Sequence, residues 1–167
     1  LLIGKLWTRP GMVDDPEREL RQYEHAVATH LGLGFSACLH GERLYSGPRS
    51  KAILQRWLGF YRRYRPLHTC RSLPLRLPGG GLDVALHCSP QHNPCAVAVV
   101  FNPCEGAMYG AFTLPLELAG WRPGRRATAR RNGQGDGIEI TIDDQGQAGL
   151  EVQLPAGAVD WWEIRWE

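Results

Sequence analysis

The stretch from Leu82 to Trp121, LDVALHCSPQHNPCAVAVVFNPCEGAMYGAFTLPLELAGW, permits few folds. Leu82, Val84, Leu86 and Cys88 alternate with Asp83, Ala85 and His87, the period-two pattern of a strand with one buried face. Ser89-Pro90 and Asn93-Pro94 then break the run, because proline donates no ladder hydrogen bond and biases its predecessor away from helix. Cys95 to Phe101 is apolar on both faces, as expected of a central strand in a covered sheet. Asn102-Pro103 turns the chain, and Met108 to Leu116 returns through Phe112 and Leu114. Here an all-β module begins.

What precedes this stretch reads as alternating strand and helix. Leu1 to Trp7 is a short apolar strand candidate that ends in the loop Thr8-Arg9-Pro10-Gly11. Asp15-Pro16 supplies an N-cap and a first-turn proline, and Leu20, Tyr23, Val27 and Leu31 follow at helical spacing until Gly32 and Gly34. Phe35 to Leu39 is a second short strand, leading into His40-Gly41-Glu42-Arg43. Gly47-Pro48 opens a second helix with Ile53, Leu54, Trp57, Leu58 and Tyr61 as its apolar stripe, and Pro66 is expected to stop it. This β-α-β-α order is the unit of parallel α/β architecture, but two units cannot close a barrel, which needs eight. Strand edges near Leu1 and Phe35 are expected to be unpaired. The stripes at Leu20/Val27 and Ile53/Trp57 are expected to lack part of their cover.

From Leu73 onward strands dominate. LPLRL, the three runs above, Arg125 to Arg131, Gly137 to Ile142, Leu150 to Leu154 and Val159 to Trp166 give about eight strand candidates joined by Gly- and Asn-rich turns. Ile138, Ile140 and Ile142 alternate with polar residues, as do Trp162, Ile164 and Trp166. The expected fold is α+β: a partial (β/α) barrel segment with two helices over residues 1–70, then an antiparallel β-sandwich over 71–167.

Composition excludes several functions. A net charge of +2 is too small to imply nucleic acid or an anionic membrane as partner. The eight arginines from Arg43 to Arg76 lie mostly on a predicted helix and read as a solvated face. No apolar run approaches the ~20 residues of a membrane span. The opening LLIGKLW has no basic n-region, so it reads as internal sequence, with the natural protein expected to extend further toward the N-terminus. Five cysteines without CxxC spacing argue for free, mostly buried thiols; one bridge between Cys95 and Cys104 is the alternative.

Candidate chemistry is sparse. Asp14 and Asp15 suit helix capping, and Asp143 and Asp144 suit a hairpin turn. His87, Cys88, His92 and Cys95 are zinc-ligand types, but His87 and Cys88 point to opposite faces of one strand, so no metal is expected. No third group orients a Cys-His nucleophile pair. Among the tryptophans, Trp162 and Trp166 share a face with Ile164 and read as core. Trp161 points the other way and could be an exposed platform for sugar.

The order LH-x-SP, a polar loop, AVAVVFNP and TLPLELAGW resembles the C-terminal β-sandwich of α-galactosidase-like glycoside hydrolases. Upstream, GFSACLHGERLYSGPRSKAILQRWLGFYRRYRPL resembles the segment leading out of the last barrel strand, through its helix, into that sandwich. The resemblance implies a carbohydrate-active parent whose two catalytic carboxyls sit on earlier barrel strands, so no residue here inherits either role. It implies no cofactor. Its partners would be a carbohydrate substrate bound by the complete barrel, and the missing barrel portion or another chain covering the open edges. Barrel sites form at strand C-terminal ends, which here are Trp7 and the loop carrying His40, Glu42, Arg43 and Tyr45. Tryptophan offers a pyranose an apolar face, and His, Glu and Arg offer partners for hydroxyls. Arg43 and Tyr45 match a Gly-x-Arg-Leu/Ile-Tyr run usual at this loop in the resembled family. The alternative, from a different class, is a non-catalytic carbohydrate-binding or interaction module.

Overall fold

The structure, a computed structural model, describes the backbone of residues 3–7, 17–40, 44–76 and 81–167, and the side chains of 20–35, 44–76 and 81–167. It divides into two compact units, Leu1–Arg65 and Pro66–Glu167.

In the first unit β1 (Ile3–Trp7) and β2 (Ser36–His40) pair in parallel, joined by α1 (Glu17–Gly32). A parallel pair needs such a crossover. α1 ends as its glycines predict. Gly34 takes φ 78°, its N–H reaches the Leu31 carbonyl at 3.3 Å, and the Phe35 N–H reaches the His30 carbonyl at 2.9 Å. That double bond pattern satisfies carbonyls the helix leaves open. α2 (Pro48–His68) begins at the expected proline. The Ser50 hydroxyl reaches back to accept the Ser46 and Gly47 N–H groups, both at 3.1 Å, where a capping-box side chain would sit.

Three expectations for the helices are corrected. Leu20, Val27 and Trp57 are 6%, 1% and 0% exposed, so these stripe residues do not lack cover. The buried stripe of α2 runs through Leu54, Trp57, Phe60, Tyr64 and Leu67, while Ile53, Leu58 and Tyr61 are only half-buried. The aromatic rings decide this: Trp57, Phe60 and Tyr64 pack in tilted contacts along one face with centroids 5.3 and 4.8 Å apart, and rings bury more area than the aliphatic groups they displace. Pro66 does not stop the helix, which runs two residues further. Its missing N–H falls in the last turn, and the open carbonyls there are met by Thr69 Oγ1 donating to Pro66 O and Cys70 N–H donating to Leu67 O.

The second unit is an antiparallel β-sandwich. β3 (Arg71–Arg76), β4 (Asp83–Cys88), β5 (Ala96–Phe101), β6 (Met108–Pro115), β7 (Ala127–Arg131), β8 (Ile138–Ile140), β9 (Gln147–Leu154) and β10 (Val159–Trp166) occupy the predicted strand segments. Six form one sheet in the order β3-β4-β5-β10-β7-β8, and β6 pairs with β9 in the other. β5 is buried along its whole length, as its unbroken apolar run predicts. β6 and β9 alternate buried and exposed residues. Leu86, Ala98, Leu114, Leu150, Trp162 and Ile164 meet in the core between the sheets.

Two sequence expectations fail here as well. Trp161 faces away from that core yet is only 7% exposed, so it is no platform for sugar. Ile138, expected on a buried face, is 75% exposed, because β8 is a three-residue strand at the sheet's end and Ile142 makes only an isolated bridge to Ala148. Cys88 and Cys95 are buried free thiols, and Cys95 and Cys104 form no bridge. No described helix is long and apolar enough to cross a membrane.

Candidate functional site

Two of the expected rim residues, Trp7 and His40, fall at one end of the parallel pair. Trp7 closes β1 and His40 closes β2, and the two are direct partners in the register, so their backbones lie side by side at the C-terminal strand ends. Parallel strands in register deliver their following loops to the same place, which is why such ends collect binding residues. The side chains of Trp7 and His40, and all of Glu42 and Arg43, lie outside the described residues, as do Asp14 and Asp15. Tyr45 is described: it is 38% exposed, with Lys51 Nζ 5.6 Å from its ring centroid. The loop's far end is tied down, since Tyr23 Oη donates to the Leu44 carbonyl at 2.7 Å. Burial pushes the Tyr23 phenol up to about 12, so it stays a donor at any ordinary pH. Glu24 braces the same unit, accepting from Arg56 at 2.8 Å and Trp57 Nε1 at 3.2 Å.

In the sandwich, the metal-ligand types are used otherwise. His87 is fully buried with Nδ1 2.6 Å from Ser72 Oγ, whereas Cys88 lies in the core. His92 Nδ1 is 2.8 Å from Ser89 Oγ, which also accepts the Gln91 N–H, a turn arrangement. Among the described residues no group of three or more His, Cys, Asp or Glu could hold a metal ion. Asp143 accepts the N–H groups of Gln145 and Gln147 and so builds the hairpin expected of it.

Sequence reasoning missed two features. His68, at the end of α2, sets its ring edge-on to His87 with centroids 4.3 Å apart. Burial first, and the neighbouring His87 second, bring its pKa down to about 3. No spacing rule joins residues that only tertiary folding brings together. The second is an open cleft of about 920 Å³ between β8 and β9, floored by Trp162. Its sequence signal was Ile138, present there only as one of three isoleucines alternating with polar residues.

No protein-family model and no curated protein sequence matches the chain. Solved structures do. α-Galactosidase I from Mortierella vinacea matches 87% of this chain at TM-score 0.56 and 11% identity. A GH27 β-L-arabinopyranosidase from Geobacillus stearothermophilus, in complex with arabinose, matches 86% at 0.53 and 11%. A debranching enzyme from Nostoc punctiforme, soaked with acarbose, matches 87% at 0.53 and 13%. The chain spans 35%, 30% and 29% of their respective lengths, about a third. Identities this low carry the fold and no more; the chain has the fold of one part of α-galactosidase-type glycoside hydrolases.

Proposed function

We propose that the chain is the C-terminal part of an α-galactosidase-like glycoside hydrolase, acting in carbohydrate metabolism. Residues 1–70 supply the last two β/α units of its catalytic barrel, and residues 71–167 an accessory sandwich that stabilises it. The carrying observation is the parallel pair that ends on Trp7 and His40, one helix before an antiparallel sandwich, within a likeness covering 87% of the chain. Glycoside hydrolysis needs two carboxyls across the scissile bond, about 5–9.5 Å apart. In this reading both belong to earlier strands, and this chain contributes substrate contacts: Trp7 against a sugar face, and His40, Glu42, Arg43 and Tyr45 toward hydroxyls. The open edges of β1 and β2 pair with the remaining barrel strands or with another chain. No cofactor is required.

The test compares this chain with the product of the full reading frame on p-nitrophenyl glycosides. The full protein turns over; the chain alone does not; and Arg43→Ala in the full protein lowers kcat/KM at least tenfold, about 1.4 kcal/mol of transition-state binding. Turnover by the chain alone, surviving replacement of Glu42 and Arg43 together, would sink the reading.

A further inference from the structure

The cleft between β8 and β9 has the form of a missing strand. Ile138 to Thr141 line one wall and Gly149 to Gln153 the other, each as an unbroken run. A strand that shows its face lines a cavity with every second residue; one that shows its edge lines it with consecutive residues. Both walls are therefore edges. The topology agrees, since β8 ends the six-stranded sheet and β9 has β6 as its one neighbour among the described strands. The walls meet at the Ile142–Ala148 bridge.

The direction of the backbone groups follows from the turn. The Asp143 N–H donates to the Gln147 carbonyl at 2.9 Å, so the main chain of Gln147 points away from β6. Its partner across β6 is Pro115, which has no N–H to offer. Alternation then puts the main-chain groups of Glu151 and Gln153 on the same open edge. Natural edges are blunted by lysine, proline or a covering loop. The chain's two lysines, Lys5 and Lys51, are both in the first unit, and β9 meets no proline before Pro155.

The chemistry of the walls selects an occupant. Leu150, Val152 and Trp162 form an apolar floor beside the exposed Ile138, while Asp136 and Glu139 carry negative charge along the rim and Glu151, whose carboxylate accepts a hydrogen bond from the Tyr109 hydroxyl, adds a third at the outer face of β9. Arg131 does not neutralise them, because its guanidinium is held by Asp160 through two nitrogens. Arg126 reaches Glu139 only at 3.6 Å, with both side chains exposed. We propose that the cleft accepts an extended segment of a separate polypeptide, which adds as a strand along β9 and alternates apolar with basic residues. Main-chain bonds to the edge supply affinity, and the floor and rim read alternate side chains. A sugar fits less well: among the described lining residues Trp162 is the sole aromatic, is 8% exposed, and has the Arg131 guanidinium 5.6 Å over its ring. A second copy would set one acidic rim against another. The inference does not depend on the enzyme reading.

The test titrates the full chain into a fluorescein-labelled, capped peptide of alternating lysine and valine, read by fluorescence anisotropy. Saturable binding is expected. Gln153→Pro removes an edge-directed N–H while sparing the β6–β9 ladder, and weakens binding about tenfold; Gln153→Ala leaves it unchanged. Glu151→Lys weakens it by a similar factor without touching the backbone, and decides the matter should the proline variant fail to fold. Three outcomes would overturn the proposal: no saturation up to millimolar protein, affinity unmoved by Glu151→Lys, or displacement of the peptide by galactose or maltose. Dimerisation of the chain abolished by Glu151→Lys would assign the cleft to a second copy and overturn it too.

Discussion

Asn102 lies just after β5 with no exposed surface, and its side chain holds two turns of the sandwich together. Nδ2 donates to the carbonyls of Gly106 at 2.8 Å, Leu154 at 3.1 Å and Pro155 at 2.8 Å, and Oδ1 accepts the Cys104 N–H at 3.0 Å. The β5–β6 connection is thereby fastened to the end of β9. The Asn-Pro pair announces a turn, but nothing in the sequence names the distant carbonyls. Asn102→Ala leaves those carbonyls without their donor in a buried site, which costs about 2–3 kcal/mol. Asn102→Asp costs at least as much, since a carboxylate would face three carbonyl oxygens. Urea unfolding of both variants checks this, and a loss below about 0.5 kcal/mol in each would mean that the turns hold without the asparagine.

Elements were legible where one periodicity ruled and illegible where two surfaces competed. β5, β6, β9 and β10 each follow a single pattern and were readable. β8 carries the same alternation of isoleucines, but Ile138 at its start is exposed while Ile140 and Ile142 pack half-buried against the core, so the pattern is present and the burial only partial. The face of α2 was misjudged by part of a turn because aliphatic and aromatic residues offer overlapping stripes, and the rings won. Of the candidate rim, the pairing of Trp7 with His40 followed from the parallel strands, whereas Tyr45 could be placed only once the Tyr23–Leu44 bond was seen. The junction of α2 with β4 was not readable at all, and it carries a pH dependence. Above the ordinary value of 6.5, His68 is neutral in the folded and unfolded chain alike. Below it the unfolded chain binds a proton that the folded chain refuses until about pH 3. Stability therefore falls as pH drops through that window, by up to about 1.4 kcal/mol per pH unit, and the loss levels off beneath it. Unfolding midpoints from pH 7 to 4 for the parent chain and His68→Gln separate this from other titrations: the variant's slope should be shallower, and parallel slopes would refute the assignment.

At the scale of the whole chain, the two units are stabilised by different means, and amide exchange should tell them apart. In the sandwich β5 is hydrogen-bonded on one side to β4 and on the other to β10, in full registers from Asp83 opposite Phe101 to Cys88 opposite Ala96, and from Val159 to Ile164. Every β5 residue is buried. Opening those amides requires unfolding the sheet, so their exchange should report the global free energy of the second unit. β8, with three residues at the sheet's end, can open without disturbing β5 and should exchange faster. Among the described strands β1 and β2 have only each other in their sheet, and a two-stranded sheet by itself is marginal in water. Their amides should exchange faster than those of β5 by several orders of magnitude in this chain, and, on the proposed barrel reading, slow in the full protein as further parallel strands pair with their edges. Equal protection of β1, β2 and β5 in the chain alone would show that the first unit needs no such neighbours, and would remove the physical ground for treating it as the end of a larger barrel.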